Sequence, residues 1–444
     1  MRGTLNLWLL LVALLPFAGC GAGRGNGTQF SSPGSTPIQI TVSDSPADQV
    51  LSAQVTINSI ALTTNSNATV RMLPSATTVE LSHLLATAQP VAMVDVAQGT
   101  YTNASITLSN IVLNFVDGSS VLQQFVFPGP FTASFSFPAT IASNPGVFNL
   151  DINLAQSLTS FSPGGFTPSV SAVLTGVPAF NQQEEGTGAI HDLTGTITST
   201  GTSGFTVAVN QASTSLAILV DTNTQFAGVT GLADLTAGMI VEVNALMPGN
   251  GTLLATKVEG ETGVKMVAEG VVVGGTPGTP NRFQIVVQQQ AGTNAPPIGA
   301  LLPVSTDNTT TFVLPTDEVS LSGLPFTPTF SGFANLAVGQ TVQVRTTSDF
   351  TAVAAEVKLA PRAMSGSPIT QNGSQFTLGL PPTGSALNFM TGASSVDFIV
   401  QPATEFKGMT GIILGSPVRV RGLMFFDIPS SRYKLVASRI TPGP

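Results

Sequence analysis

Few side chains in this sequence could do acid–base, nucleophilic or metal chemistry, and their spacing is poor. There are two histidines, His83 and His191. Neither has another His, a Cys or a carboxylate at a metal-ligand spacing, so both read as ordinary, partly exposed residues. The sequence shows no Gly-x-Ser-x-Gly elbow, Ser-x-x-Lys helix, Gly-rich phosphate loop or His-Glu-x-x-His. A serine triad would have to recruit one of the two histidines. Asp44 and Asp48, in Ser43-Asp44-Ser45-Pro46-Ala47-Asp48, could ligate calcium with help from loop carbonyls. Calcium takes about 6 to 8 oxygens and these are two side chains, so the preferred reading has Asp44 capping a turn and Asp48 in solvent. Glu184-Glu185 reads as a solvated linker pair. The expectation is a chain without catalytic residues, cofactor or metal.

The remaining reactive group is Cys20, the sole cysteine. It follows a short cationic start (Met1-Arg2-Gly3), an apolar run from Leu5 to Leu15 that holds the only tryptophan, Trp8, and Phe17-Ala18-Gly19. The run is too short to span a bilayer as a helix, and its flanks are those of an export signal. Small residues before a cysteine resemble the lipobox of bacterial lipoproteins. The resemblance implies cleavage before Cys20, lipid on its thiol and acylation of the new amino terminus. Gly21, rather than Asp, follows the cysteine, which by resemblance to sorted lipoproteins implies the outer membrane. Several acyl chains would anchor firmly, at about 0.8 kcal/mol per buried CH₂. With one cysteine there is no intrachain disulfide.

Composition narrows the fold. Charged residues are 9% of 444, while 42% are hydrophobic. Gly (45) and Pro (31) are abundant. This fits many short strands with Thr, Ser, Asn and Gln on their outer faces. A net charge of −8 argues against a nucleic-acid partner, which needs a basic footprint.

The elements that must carry these residues alternate with period two. Residues 20–37 are Gly-, Ser-, Thr- and Pro-rich and read as a flexible tether after a signal peptide of residues 1–19. Ile38, Ile40 and Val42 then alternate with polar residues, as do Phe131, Ala133, Phe135 and Phe137, and Phe148, Leu150, Ile152 and Leu154. Pro128-Gly129-Pro130 and Asn144-Pro145-Gly146 mark turns. One short helix is expected at about Val79 to Ala86, around Leu81, Leu84 and Leu85. Residues 38–178 are predicted to be a β-sandwich. The region resembles the domain of unknown function 4382 family over roughly residues 38–175. The resemblance rests on Ser43 to Asp48, Val55-Thr56-Ile57, Leu81-Ser82-His83-Leu84-Leu85, Gln98-Gly99-Thr100-Tyr101, and Phe148 to Leu154 with Ser157. It implies export and an all-β, sandwich-like fold, and gives no activity or catalytic residues to carry over.

After a linker at residues 179–191, a degenerate repeat occurs three times, in 192–262, 263–361 and 362–444. Each copy opens on a glycine (Gly195, Gly270, Gly366) and carries a short Phe strand (Phe205, Phe283, Phe376). Each then has Thr-x-Phe: Thr224 to Phe226, Thr310 to Phe312, Thr404 to Phe406. Gly-x-x-Val-x-Val follows at Gly238, Gly339 and Gly415, and the close is Ala255 with Val258, Ala354 with Val357, and Ala437 with Ile440. Such a unit of about five strands can hide its edges by curling into a barrel. Copy two carries insertions such as residues 313–332. The copies resemble the domain of unknown function 5666 family, which implies small OB-like β-barrels in exported proteins. The predicted fold is therefore all-β: an N-terminal sandwich followed by three OB-like barrels.

Sugar stacking would favour Trp or Tyr, and beyond Trp8 the chain has only Tyr101 and Tyr433. The third copy is mildly basic, with Lys407, Arg419, Arg421, Arg432, Lys434 and Arg439 against Glu405 and Asp427. This reads as a solvated face, or as one attracted to anionic envelope polymers or to the acidic N-terminal domain. The favoured function is a structural or interaction module of the cell envelope, held to the membrane through Cys20, with an envelope protein or polysaccharide as partner. The alternative is a small-ligand or glycan-binding protein with a barrel-mouth site at Tyr433 or clustered Phe. A hydrolase ranks last.

Overall fold

A computed structural model describes residues 34–44, 48–84, 88–158, 165–176, 189–209, 214–246, 253–275, 281–292, 295–315, 319–348, 353–381 and 384–443. Cys20, most of the tether and Glu184-Glu185 lie outside the described residues. No helix among the described residues is long and apolar enough to cross a membrane.

The first strands are β1 (Ser35–Asp44), β2 (Val50–Thr64), β3 (Thr69–Arg71), β4 (Thr77–Glu80), β5 (Gln89–Ala97), β6 (Gly99–Val116), β7 (Leu122–Phe127), β8 (Phe131–Ile141), β9 (Gly146–Ile152) and β10 (Val170–Gly176). They form two sheets. One runs β10-β9-β1-β5, with β1 and β9 parallel. The other runs β3-β2-β6-β7, with β4 on β2 and β8 on β6. The alternating residues meet between the sheets. Ile38, Ile40, Val42, Phe148, Leu150, Ile152 and Leu154 are all buried in one core. Only Phe137 of the β8 series is fully buried, its ring 5.2 Å from that of Phe148. The Gly-Thr-Tyr element is explained by Tyr101, which is buried and donates its hydroxyl to the Ala97 carbonyl at 2.7 Å.

The helix expected over Val79 to Ala86 is not there. Val79 and Glu80 belong to β4, paired with Val55 and Gln54 of β2, and a single 3-10 turn follows at Ser82–Leu84. β-Branched Thr77, Thr78 and Val79 favour the strand, and Leu81 and Leu84 are three residues apart, which suits a tight turn as well as a helix. One genuine helical turn, α1 (Leu154–Ser157), follows β9, with the Gln156 amide capped by the Asn153 side chain.

The repeats comprise β11 (Ala189–Thr200), β12 (Gly204–Val209), β13 (Thr214–Leu219), β14 (Gln225–Ala227), β15 (Ile240–Leu246) and β16 (Leu253–Glu261). The second has β17 (Met266–Gly275), β18 (Arg282–Gly292), β19 (Leu301–Ser305), β20 (Thr311–Val313), β21 (Thr341–Thr346) and β22 (Glu356–Ala360). The third has β23 (Arg362–Asn372), β24 (Gln375–Gly379), helix α2 (Ala386–Thr391), β25 (Ser395–Ile399), β26 (Glu405–Phe406), β27 (Val418–Asp427) and β28 (Arg432–Pro442). β11 opens within the segment read as linker, because Ile190 is already in the barrel core. All three sheets have one order, β13-β12-β11-β15-β16-β14 and its equivalents. Parallel pairing of β13 with β16, and of β25 with β28, closes five strands into a barrel. In the second copy a parallel bridge from Ser305 to Val353 makes the same closure.

Each repeated motif has a mechanical reason. A Cβ on Gly195 would stand 2.6 Å from the Ala208 carbonyl oxygen; on Gly270, 2.1 Å from that of Val286; on Gly366, 2.4 Å from that of Gly379. Only glycine lets these backbones close. Gly238, Gly339 and Gly415 have φ of 89°, 92° and 83°, and their amides donate to Ile197, Val272 and Pro368. Phe226, Phe312 and Phe406 stand opposite Val258, Val357 and Ile440, the closing residues of the motif. The threonines of Thr-x-Phe pin the same strands: Thr224, Thr310 and Thr404 donate to the carbonyls of Ala255, Ala354 and Ala437 at 2.8, 2.7 and 2.8 Å.

Candidate interaction site at the domain junctions

The polar chemistry of the described residues concentrates where domains meet. Glu80 ends β4 with its side chain wholly buried. Its Oε1 accepts from the Ala53 amide at 2.7 Å, the Ser82 amide at 3.2 Å and the Ser82 hydroxyl at 2.5 Å. Its Oε2 accepts from the His83 amide at 3.0 Å and lies 2.7 Å from His83 Nδ1. A buried carboxylate is tolerable only with such a shell of donors. Gln288 of the second barrel reaches the same knot, donating to the Leu51 carbonyl at 2.7 Å and to Ser82 Oγ at 3.0 Å. His83 thus has a carboxylate partner three residues before it, which the sequence reading missed. Glu-x-x-His was the available signal. Hydroxyl and imidazole both bind the carboxylate rather than each other, whereas a nucleophile–base pair needs them joined. Ser431 and Lys434 have the Ser-x-x-Lys spacing, but they lie on a turn and on β28, with Lys434 Nζ held by Asp397 at 2.9 Å.

Asp44 and Asp48 do not act together. Asp44 is buried and accepts the Leu154 amide at 3.2 Å, and burial pushes its carboxyl well above the usual range. Asp48 is not in solvent as expected. Its carboxylate accepts the Ser365 amide of the third barrel at 3.3 Å, and its carbonyl accepts the Ala386 amide of α2 at 2.9 Å. Burial pushes the Asp48 carboxyl up to about 7, opposed by the Ser365 amide and the Arg362 guanidinium. Burial also pulls the Arg362 guanidinium down to about 10, and its Nη1 donates to the Gly339 carbonyl of the second barrel. Among the described residues, no three His, Cys, Asp or Glu side chains converge as metal ligands.

Between the first and second barrels, Arg345 sits among three carboxylates. It lies 2.6 Å from Glu261, 2.7 Å from Glu356 and 3.7 Å from Glu242. Lys358 adds a contact to Glu242 at 3.4 Å. Burial pushes the Glu261 carboxyl up to about 7, the neighbouring carboxylates add to the rise and Arg345 opposes it.

The basic residues of the third copy are largely spent as well. Arg432 and Lys434 pair with Asp397 at 2.7 and 2.9 Å, and Arg439 pairs with Glu405 at 2.6 Å. The expected solvated face is therefore in part an internal ion-pair face, and Arg419 exerts its attraction on Asp44 and Asp48 of the acidic sandwich. Tyr433 is buried at the second junction, donating to the Val338 carbonyl at 2.9 Å. Phe376 and Phe398 stack inside the third barrel at 5.2 Å. The insertion of copy two also bridges, with Phe326 5.6 Å from Phe425 of the third barrel. The side chain of His191 lies outside what the structure describes.

Two family models match the chain. Residues 35–167 match the family described as Domain of unknown function (DUF4382), and residues 194–259 match Domain of unknown function (DUF5666). The second match covers the first barrel, and the shared strand order extends that architecture to copies two and three. No curated protein matches the chain. Among solved structures, a Drosophila protein described as Unr CSD456 is 8% identical, with a TM-score of 0.13 over 56% of this chain and 95% of that one. A multidomain protein with nucleic acid binding domains from Streptococcus pneumoniae is 14% identical, with a TM-score of 0.12 over 56% of this chain and 72% of that one. Likeness this slight bears on neither fold nor function.

Proposed function

We propose that the chain is an exported lipoprotein, anchored in the outer membrane through Cys20, that serves as a non-catalytic scaffold and interaction module. The observation that carries the reading is where its polar side chains go. Gln288, Asp48, Arg362, Arg345 and Glu261 are used to fix one domain to the next, and Glu80 and His83 are spent on each other and on the Ser82 that Gln288 reaches. Surfaces left to solvent, such as Thr132, Ser134 and Ser136 on β8, are neutral hydroxyl faces suited to contact rather than reaction.

The test has two arms. Cells fed labelled palmitate should label the wild-type chain, and Cys20→Ala should lose both the label and its membrane fractionation. A photo-reactive residue placed at Ser134 should cross-link to a discrete envelope protein or polysaccharide in the wild-type strain. Persistence of the label in Cys20→Ala would end the anchor reading. Saturable turnover of ester, glycoside or peptide substrates by the purified chain, abolished by Glu80→Gln under conditions where the variant stays folded, would end the non-catalytic one.

A further inference from the structure

Three exposed turn asparagines of this chain are each followed by a backbone amide that is already engaged. The amide after Asn67 donates to Thr64 Oγ1 at 3.1 Å, that after Asn223 to Asp221 Oδ1 at 3.2 Å, and that after Asn308 to Asp307 Oδ1 at 2.7 Å. Less exposed asparagines are held by their side chains. Asn388 Nδ2 donates to the Ala393 carbonyl at 2.9 Å, and Asn114 Nδ2 to Ser52 Oγ at 2.9 Å.

Asn372 differs on both counts. It is the last residue of β23, and the hairpin to β24 turns on Gly373 and Ser374, with Asn372 opposite Gln375. All four residues from Gln371 to Ser374 are exposed. Among the described residues, the Asn372 carboxamide makes no hydrogen bond and the Gly373 amide donates to no acceptor. The turn is held by other groups: Gln371 Nε2 donates to the Gly373 carbonyl at 3.1 Å, and the Val400 amide to the Ser374 carbonyl at 2.9 Å. Gly373 has φ of 60°, and no atom lies within 4 Å of where its Cβ would stand. Glycine thus puts no side chain between its nitrogen and Asn372 Cγ. An exposed hairpin tip of this kind opens locally at little cost. The pairs Asn26-Gly27 and Asn250-Gly251 have the same sequence but lie outside the described residues.

We propose that Asn372 is a site of spontaneous covalent modification, converted to aspartate and isoaspartate through attack by the backbone nitrogen of Gly373. That nitrogen bonds to Asn372 Cγ, the Cγ–Nδ2 bond breaks, and the Gly373 proton leaves with Nδ2 as ammonia. The product is a cyclic imide. Water then adds to one of its carbonyl carbons and breaks that carbon's bond to the Gly373 nitrogen, which takes a proton back. Opening at Cγ gives aspartate, and opening at the main-chain carbonyl gives isoaspartate, with the chain running through Cγ. Water is consumed, ammonia is released, and nothing is oxidised or reduced. Residues 363–396 hold no charged side chain, so the new carboxylate is the first charge in that stretch. Isoaspartate also lengthens the backbone opposite Gln375, beside the Gln371–Phe376 pair, and Phe376 stacks on Phe398 in the barrel core. The pairing of β23 with β24 therefore loosens as conversion proceeds.

The full chain, kept warm at mildly alkaline pH and then cut with trypsin, gives one peptide holding both Asn372 and Asn388, because neither Lys nor Arg lies between Arg362 and Lys407. In that peptide Asn372 should lose its amide while Asn388 keeps it. Incubation in heavy-oxygen water should place the label at residue 372, and the isoaspartate form should accept a methyl group from isoaspartyl methyltransferase. Asn372→Gln should abolish the change, and hydrogen exchange in β24 should be faster in the converted chain than in that variant. An intact Asn372 after a time in which a free peptide of residues 368–378 has converted completely would overturn the proposal. So would conversion of Asn388 at the same rate, which would show that the free groups at Asn372 confer nothing.

Discussion

The backbone amide of Ser365 donates to the carboxylate of Asp48 at 3.3 Å, tying the third barrel to the sandwich across 317 positions of chain. Burial raises that carboxyl to about 7, above an ordinary Asp near 3.9. The folded chain therefore holds this proton more tightly than the unfolded chain does. The resulting stabilisation is complete below pH of about 4 and is lost as pH rises through about 7. Melting temperature should fall between pH 5 and pH 8, and Asp48→Asn should flatten that fall. An unchanged slope in the variant would show that Asp48 is not the group concerned.

Glu80 should be the costliest polar residue of the sandwich to alter. Glu80→Gln keeps the volume but turns an NH₂ toward a shell of amide and hydroxyl donors. Stranding buried donors in this way costs about 2–4 kcal/mol. Ser82→Ala removes one donor of that shell and should cost about 1 kcal/mol. Urea denaturation followed by fluorescence or circular dichroism can rank the two, and equal stability of Glu80→Gln and wild type would refute the account.

The barrels were legible in the sequence because their determinants are local and repeated. A glycine that admits a carbonyl at Gly270, and a turn glycine at Gly339 three strands later, recur at matched places in three copies. The junctions were not legible. Gln288 finds Ser82 over 206 positions through one hydrogen bond, and neither residue stands in a pattern that announces the other. Asp48 looked like a solvated turn residue because nothing near it in the chain foretells Ser365. The helix read around Leu81 and Leu84 failed for a different reason: apolar residues three apart fit one 3-10 turn, and β-branched residues before them were already committed to β2.

The threonine lock of each barrel should be separable from the rest of the fold. Thr404 donates to Ala437 at 2.8 Å and accepts the Gln401 amide at 2.8 Å, so Thr404→Val keeps the shape and strands a carbonyl and an amide. The expected cost is about 1–3 kcal/mol. Hydrogen exchange should quicken in β26 and β28 while β14 and β16 keep their protection. Thr224→Val should do the converse. Uniform loss of protection across all three barrels would mean that they unfold as one and that the lock is not local.

Arg345 and Glu261 supply the sharpest test of the first junction. Arg345 is the cation common to Glu261, Glu242 and Glu356, so Arg345→Met leaves three carboxylates facing one another across two barrels. Breaking a buried pair from one side costs about 3–5 kcal/mol. Lys358 still reaches Glu242, which places the loss mainly on Glu261 and Glu356. Glu261 has a carboxyl raised to about 7, so the double variant Arg345→Met with Glu261→Gln should recover part of the loss at pH 8. At pH 5, where Glu261 is already protonated in the folded chain, the second substitution should recover little. Equal recovery at both pH values would show that repulsion at Glu261 is not what Arg345 relieves.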